Sequence, residues 1–183
     1  MTTAAHAIVE SAAPEHRRLA DVFQENHDFV WRVVASMGTP AGLVDDIVQE
    51  VFIVVARKLP TYEERGTLRA WLAAIVRRVL ADQRKKAARA SARERAAWTP
   101  VVYGDPERTL ARREGAAVVQ RFINELPEAQ AEVFVLMELE GLSAPEVAGA
   151  LGLKVNTVYS RLRLARRRFD VVCRQWRAER SNR

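Results

Sequence analysis

Sulfur is nearly missing from this chain. One cysteine, Cys173, in 183 residues excludes an internal disulfide framework and any multi-cysteine zinc site. Long hydrophobic runs are missing too. No apolar stretch approaches the ~18 residues of a membrane span, so no membrane insertion is expected. Met1 to Ala13 lacks the basic start and long apolar run of a signal peptide. A reducing cytoplasm is the expected setting. Histidine is scarce: His6, His16 and His27 all lie near the N-terminus, with no partner cluster. Asp46 and Glu50 stand one helical turn apart, but a single such pair is more often surface charge than a metal site. No Gly-rich phosphate loop of the P-loop type occurs. These absences weigh against an enzyme and lead us to expect no catalytic residues, no metal and no cofactor.

The residues that are present support a packed core. Apolar residues make up 49% and charged residues 28%, which argues against global disorder. There are 29 basic and 23 acidic side chains, a net charge of +6. Such a balance favours a polyanion or an anionic surface as partner. Between prolines and glycines the apolar period is helical, and no convincing strand pattern is found. Helices are expected over residues 15–37, 41–59 and from Thr67 to about Arg89. The stretch 91–107 holds Trp98-Thr-Pro and Tyr103-Gly-Asp-Pro and reads as a linker. Further helices are expected over 108–126, 128–140, 144–151 and 155–176. The expected fold is all-α: two small helical domains, 14–90 and 108–176, joined by a linker, the second a helix-turn-helix.

Charge is segregated along this plan. Phe122 to Ala150 contains six glutamates (125, 128, 132, 138, 140, 146) and no Lys or Arg. Lys154 to Arg168 contains six basic residues and no acid. Residues 67–95 hold nine basic residues against Asp82 and Glu94, a net +7. Each module therefore carries one basic stretch.

Ser143-Ala-Pro-Glu146 has the form of a capping box, with Pro145 in the first turn, where its missing N–H costs nothing. Val147, Ala148 and Leu151 form an inward stripe, and Gly152 suits a turn with positive φ. Leu153 and Val158 would pin the next helix against this one. On that helix Val155, Val158, Leu162, Ala165 and Phe169 share one face. The other presents Asn156, Thr157, Tyr159, Ser160, Arg163 and Arg167, and Lys154 and Arg161 add charge nearby. Short polar groups at a helix start suit base edges or phosphates, and arginines further along suit phosphates or guanine. DNA binding outweighs a merely solvated basic helix.

In the first module, the helix 41–59 buries an arc of Leu43, Val44, Ile47, Val48, Val51, Val54 and Val55. Its other side carries Asp45, Asp46, Gln49, Glu50 and an unexpected Ile53. That face is either a protein-docking surface or a solvated carboxylate face. The first helix would turn Leu19, Val22, Phe23, Phe29, Val30, Val33 and Val34 inward. The third would turn Leu68, Trp71, Leu72, Ile75, Val76 and Val79 inward and leave Arg69, Arg77, Arg84 and Lys85 outside or at the edges. Arg78 and Asp82 are spaced to bridge. The loop Thr61 to Thr67 carries Tyr62 and Arg65. It reads either as a surface loop or as a holder for an unstacked base.

Two motif sets now resemble one family. Asp45-Asp-Ile-Val-Gln-Glu-Val-Phe52 and Thr67-Leu-Arg-Ala-Trp-Leu-Ala-Ala-Ile-Val-Arg-Arg-Val-Leu-Ala-Asp82 look like the polymerase-binding and promoter-melting region of extracytoplasmic-function (ECF) sigma factors. Leu126-Pro127, Glu146-Val-Ala-Gly-Ala-Leu-Gly152 and Thr157-Val-Tyr-Ser-Arg-Leu-Arg-Leu-Ala-Arg166 look like that family's C-terminal region. The resemblance covers about 25–170. It implies core RNA polymerase and promoter DNA as partners, and an anti-sigma factor, which the family commonly has. It implies that Asp45, Asp46, Gln49, Glu50, Phe52 and Ile53 lie on or beside the polymerase-docking surface. Tyr62, Arg65, Thr67, Arg69, Arg77, Arg84 and Lys85 would serve the −10 element. Lys154, Asn156, Thr157, Tyr159, Ser160, Arg161, Arg163 and Arg167 would serve the −35 element. Two positions depart from the pattern: Arg78 stands where the family often has Asn, and Tyr159 where it often has Lys. The competing expectation is a stand-alone helix-turn-helix regulator with a sensing or dimerising first module, able to bind duplex operator DNA tightly without polymerase.

Overall fold

The computed structural model describes residues 3–63, 66–89 and 110–181. The expected linker 91–107 and Arg65 lie outside the described residues. Among the described residues seven α-helices follow in order: α1 (Thr3–Ser36), α2 (Ala41–Lys58), α3 (Leu68–Arg89), α4 (Leu110–Glu125), α5 (Glu128–Phe134), α6 (Ala144–Leu151) and α7 (Val155–Ser181). A 3-10 turn, Leu59–Thr61, follows α2, and a π turn, Val135–Leu139, widens the end of α5. No strand occurs among the described residues, so the all-α expectation holds.

Helices α1, α2 and α3 pack on one another through Phe29, Val30, Val33 and Val34 of α1, Val44, Val51 and Val55 of α2, and Leu72 and Val76 of α3, all buried. Gly38 ends α1 at φ 77°, and the buried Thr39 hydroxyl donates to the carbonyl of Val34 at 2.7 Å, satisfying one of the last carbonyls of the helix. Helix α1 starts at Thr3 rather than at 15, over a stretch rich in alanine, the best helix former. Two apolar residues expected inside, Phe23 and Leu43, are exposed instead.

The second module wraps α7 with α4, α5 and α6. Phe122, Phe134 and Phe169 meet at its centre, with ring centroids 5.0–5.5 Å apart in tilted and edge-on pairs. Val158, Leu162 and Ala165 of α7 face inward as expected, but Val155 is exposed at the helix start. The expected Arg78–Asp82 bridge is not formed. Asp82 pairs loosely with Lys85 instead, at 3.9 Å.

The modules pack directly, α3 against α6. Helix α3 therefore has two working faces. Leu72, Ile75, Val76 and Val79 serve its own module. Ala73, Arg77, Leu80 and Arg84, spaced by three and four residues, face the second module, where they line a void with Glu132, Leu136 and Leu151.

Candidate functional site

The helix-turn-helix is built by local rules. The Glu146 carboxylate accepts from the Ser143 backbone N–H at 2.7 Å while the Ser143 side chain accepts from the Glu146 backbone N–H, which closes the expected capping box at the start of α6, and the Ser143 hydroxyl also donates to the carboxylate at 2.5 Å. The Thr67 hydroxyl of the first module donates to the same carboxylate at 2.5 Å. These bonds hold the Glu146 carboxyl below its ordinary range, the Ser143 hydroxyl contributing most. Gly152 ends α6 at φ 65°. Its N–H and that of Leu153 bond back to Gly149 and Ala148 at 3.4 and 2.9 Å, the Schellman pattern. The chain thus leaves α6 and enters α7 at a fixed angle.

On α7 the predicted DNA-facing residues form an open stripe. Asn156, Tyr159, Ser160, Arg163 and Arg167 are exposed, Tyr159 at 54%. Lys154 is exposed just before the helix, whereas Thr157 and Arg161 are half-buried. Among the described residues no acidic group pairs with Arg163 or Arg167. Arg166, by contrast, is held by Glu138 through Nε at 3.1 Å and Nη2 at 2.6 Å.

The predicted docking residues of α2 divide. Asp45, Gln49, Phe52 and Ile53 border a groove of about 460 Å³ between α1 and α2. The indole N–H of Trp31 donates to Asp45 at 3.0 Å. Glu50 turns the other way, toward α3, where Gln83 donates to it and Lys86 lies at 3.6 Å. Asp46 is exposed. Sequence reasoning missed the far wall of the groove, made by Leu19, Phe23 and His27 of α1. Phe23 sits 4.7 Å from the ring of Phe52 and stays 43% exposed. Its signal was the i, i+4 spacing of Leu19, Phe23 and His27, which reads as core when no partner is known.

The predicted −10 residues do not form one free surface. Tyr62 packs on Trp71 at 4.7 Å, and its hydroxyl donates to the Gly66 carbonyl at 3.3 Å. Arg69 lies over Phe29, 5.4 Å from the ring centroid. Thr67, Arg77 and Arg84 are engaged by the second module: Thr67 by Glu146, Arg77 by Glu132 at 3.2 Å, and Arg84 by Glu128. Lys85 is exposed.

A three-helix module with an acidic and apolar groove, joined to a capped helix-turn-helix with an open basic stripe, defines a two-domain promoter-recognition factor. Residues 22–90 match the Sigma-70 region 2 family, and residues 116–169 match Sigma-70, region 4. The chain is 32% identical over 161 residues to the ECF RNA polymerase sigma factor SigC of Mycobacterium tuberculosis, covering 87% of this chain and 86% of that protein. It is 34% identical over 143 residues to the sigma factor NccH of Alcaligenes xylosoxydans xylosoxydans, covering 75% and 76%. Among solved structures, that of CnrH with the cytosolic domain of CnrY superposes with a TM-score of 0.66 at 25% identity, covering 91% of this chain and 94% of that one. That of Bartonella quintana RpoE with the anti-sigma factor NepR gives 0.74 at 20% identity, covering 86% and 98%, and shares the fold. The chain belongs to the ECF RNA polymerase sigma factors. It is a sigma factor that binds core RNA polymerase and directs promoter-specific transcription initiation, and the stand-alone regulator is not favoured. The family is one of non-catalytic initiation factors. No helix among the described residues is long and apolar enough to cross a membrane.

Proposed function

We propose how the labour of initiation is divided among this chain's residues. A docking and melting domain spans 14–90, a linker 91–107 and a −35 domain 108–176. Asp45, Gln49, Phe52 and Ile53 meet core polymerase at the groove whose apolar wall Phe23 completes, and Asp46 and Glu50 meet it beside that groove. Tyr62, Arg65, Thr67, Arg69, Arg77, Arg84 and Lys85 handle the −10 strand. Lys154, Asn156, Thr157, Tyr159, Ser160, Arg161, Arg163 and Arg167 read the −35 element in the major groove. The reaction takes place in the cytoplasm, and an anti-sigma protein restrains the factor. Support for that last partner comes from the two similar sigma factors, each solved with a partner, one of them termed an anti-sigma factor.

The observation that carries the reading is the open stripe on α7. A capped, glycine-turned pair of helices presents Asn156, Tyr159, Ser160, Arg163 and Arg167 to solvent, and among the described residues no acid pairs with the two arginines. Run-off transcription with purified core polymerase and a library of random promoter templates tests it. Transcripts enriched for one −10/−35 pair are expected, with the −35 preference altered by Tyr159→Lys. A −35 preference indifferent to every change on this stripe would overturn the assignment.

A further inference from the structure

Leu164 is out of keeping with its surroundings. It stands on α7 nine residues after Val155, about 14 Å along the helix at 1.5 Å per residue. It is 45% exposed and takes no part in the inward face of Val158, Leu162 and Ala165. Its neighbours three and four positions away are Ser160, Arg161, Arg167 and Arg168, all polar. Arg167 and Arg168 are exposed, and among the described residues no acid pairs with either. Ser160, one turn earlier, donates its hydroxyl back to the Asn156 carbonyl at 2.9 Å. An apolar side chain is thus held at the edge of the stripe of Asn156, Ser160, Arg163 and Arg167 assigned above to the −35 element. Val171 is equally bare, at 44%, but lies about 10 Å further along α7, toward the end of the helix remote from the groove.

We propose that Leu164 is a −35 specificity residue that reads the methyl group of one thymine. The proposal rests on the −35 assignment of α7 and extends it by a residue outside that set and a base for it to prefer. The neighbouring arginines seek phosphates and carry Leu164 into the major groove with them. Base pairs present donors and acceptors there, and the one apolar group among them is the C5 methyl of thymine. Over any other base edge the leucine would strip water from a polar group and return no hydrogen bond. Leu164 therefore attracts by burying the methyl and rejects by leaving a wrong base unpaired. Neither effect involves charge, so this discrimination holds across salt concentrations at which the arginine contacts weaken.

Deoxyuridine lacks that methyl and otherwise matches thymidine, which makes the test direct. Holoenzyme assembled from the full chain and core polymerase selects its preferred promoter from a duplex library randomised over both elements. Each thymine of the selected −35 element, on either strand, is then replaced singly by deoxyuridine, and affinity is read by fluorescence anisotropy at two salt concentrations. With wild type, one replacement is expected to weaken binding about fourfold at both salts, the effect of burying one apolar carbon. Leu164→Ala should bind the thymine and uracil duplexes alike at that position. Leu164→Arg, selected afresh, should exchange thymine for guanine, whose O6 and N7 suit a guanidinium. Leu164 is already solvated, so both variants are expected to melt as wild type does. A preferred element without thymine, a wild type indifferent to every replacement, or a sensitivity that survives in Leu164→Ala overturns the methyl reading and leaves α7 as the −35 helix. A selection with no −35 preference at all overturns the assignment of α7 as well.

Discussion

Glu132 on α5 lies 3.2 Å from the guanidinium of Arg77 on α3, and its residue is only 8% exposed. Burial pushes the Glu132 carboxyl above its ordinary range. Arg77 and, more weakly, Arg84 pull it back, while Glu128 adds to the rise. A raised folded value means that this group's contribution to stability is fully present below the unfolded value and is lost as pH rises through the raised one. Glu132→Gln removes that loss. We expect the Gln variant to melt above wild type near neutral pH, with the gap closing on acidification. Thermal melts across pH read this directly, and a gap independent of pH would contradict it.

The cap at Ser143 behaves in the opposite sense. The depressed Glu146 carboxyl contributes stability above its ordinary value and loses it as pH falls through the depressed one. Ser143→Ala should cost the second module about 1 kcal/mol. The urea midpoint measures it, and an unmoved midpoint would deny the cap any energetic role.

Gly152 holds φ 65°, and a Cβ placed there would meet nothing within 4 Å. The cost of Gly152→Ala is therefore conformational rather than steric, on the order of 1 kcal/mol. Gly152→Asn should recover part of it, since Asn tolerates the left-handed region. Equal stability of the Ala variant and wild type would place the turn elsewhere.

Arg163→Ala and Arg167→Ala should weaken binding to a cognate −35 duplex. If either arginine touches only phosphate, affinity falls for all sequences alike, and the salt slope shrinks by about 0.9 for each phosphate left unneutralised. Salt titrations of the two variants decide which description holds. Binding unaltered by both removes the arginines from the interface.

Ile53 and Phe23 are 46% and 43% exposed on opposite walls of the groove between α1 and α2. Ile53→Glu should leave the fold intact, because the side chain is already solvated, and should reduce co-purification with core polymerase. Normal recovery of core enzyme with a native melt would argue against docking at this groove.

Local chemistry was legible in the sequence. The Ser143–Glu146 box and Gly152 depend on residues three and nine positions from the cap, and such patterns leave an unambiguous trace. Periodicity was less complete. It revealed the stripe by which α3 enters its own module but not Ala73 and Leu80, since a helix with two buried faces shows no clean polar side. Phe23, Leu43 and Val155 misled for the converse reason: an apolar residue on a helix reads as core whether its partner is the same chain or another molecule. The glutamates 128, 132 and 140 could be counted but not paired, because their arginines lie 44, 55 and 108 positions away.

The seam between the two modules also bears on how the molecule comes apart when heated. Leu80 and Leu136, from different modules, are each about 2% exposed and share one void. Neither module can melt without exposing part of the other's apolar surface. The chain is therefore expected to melt as a single calorimetric unit, giving one heat-absorption peak rather than two.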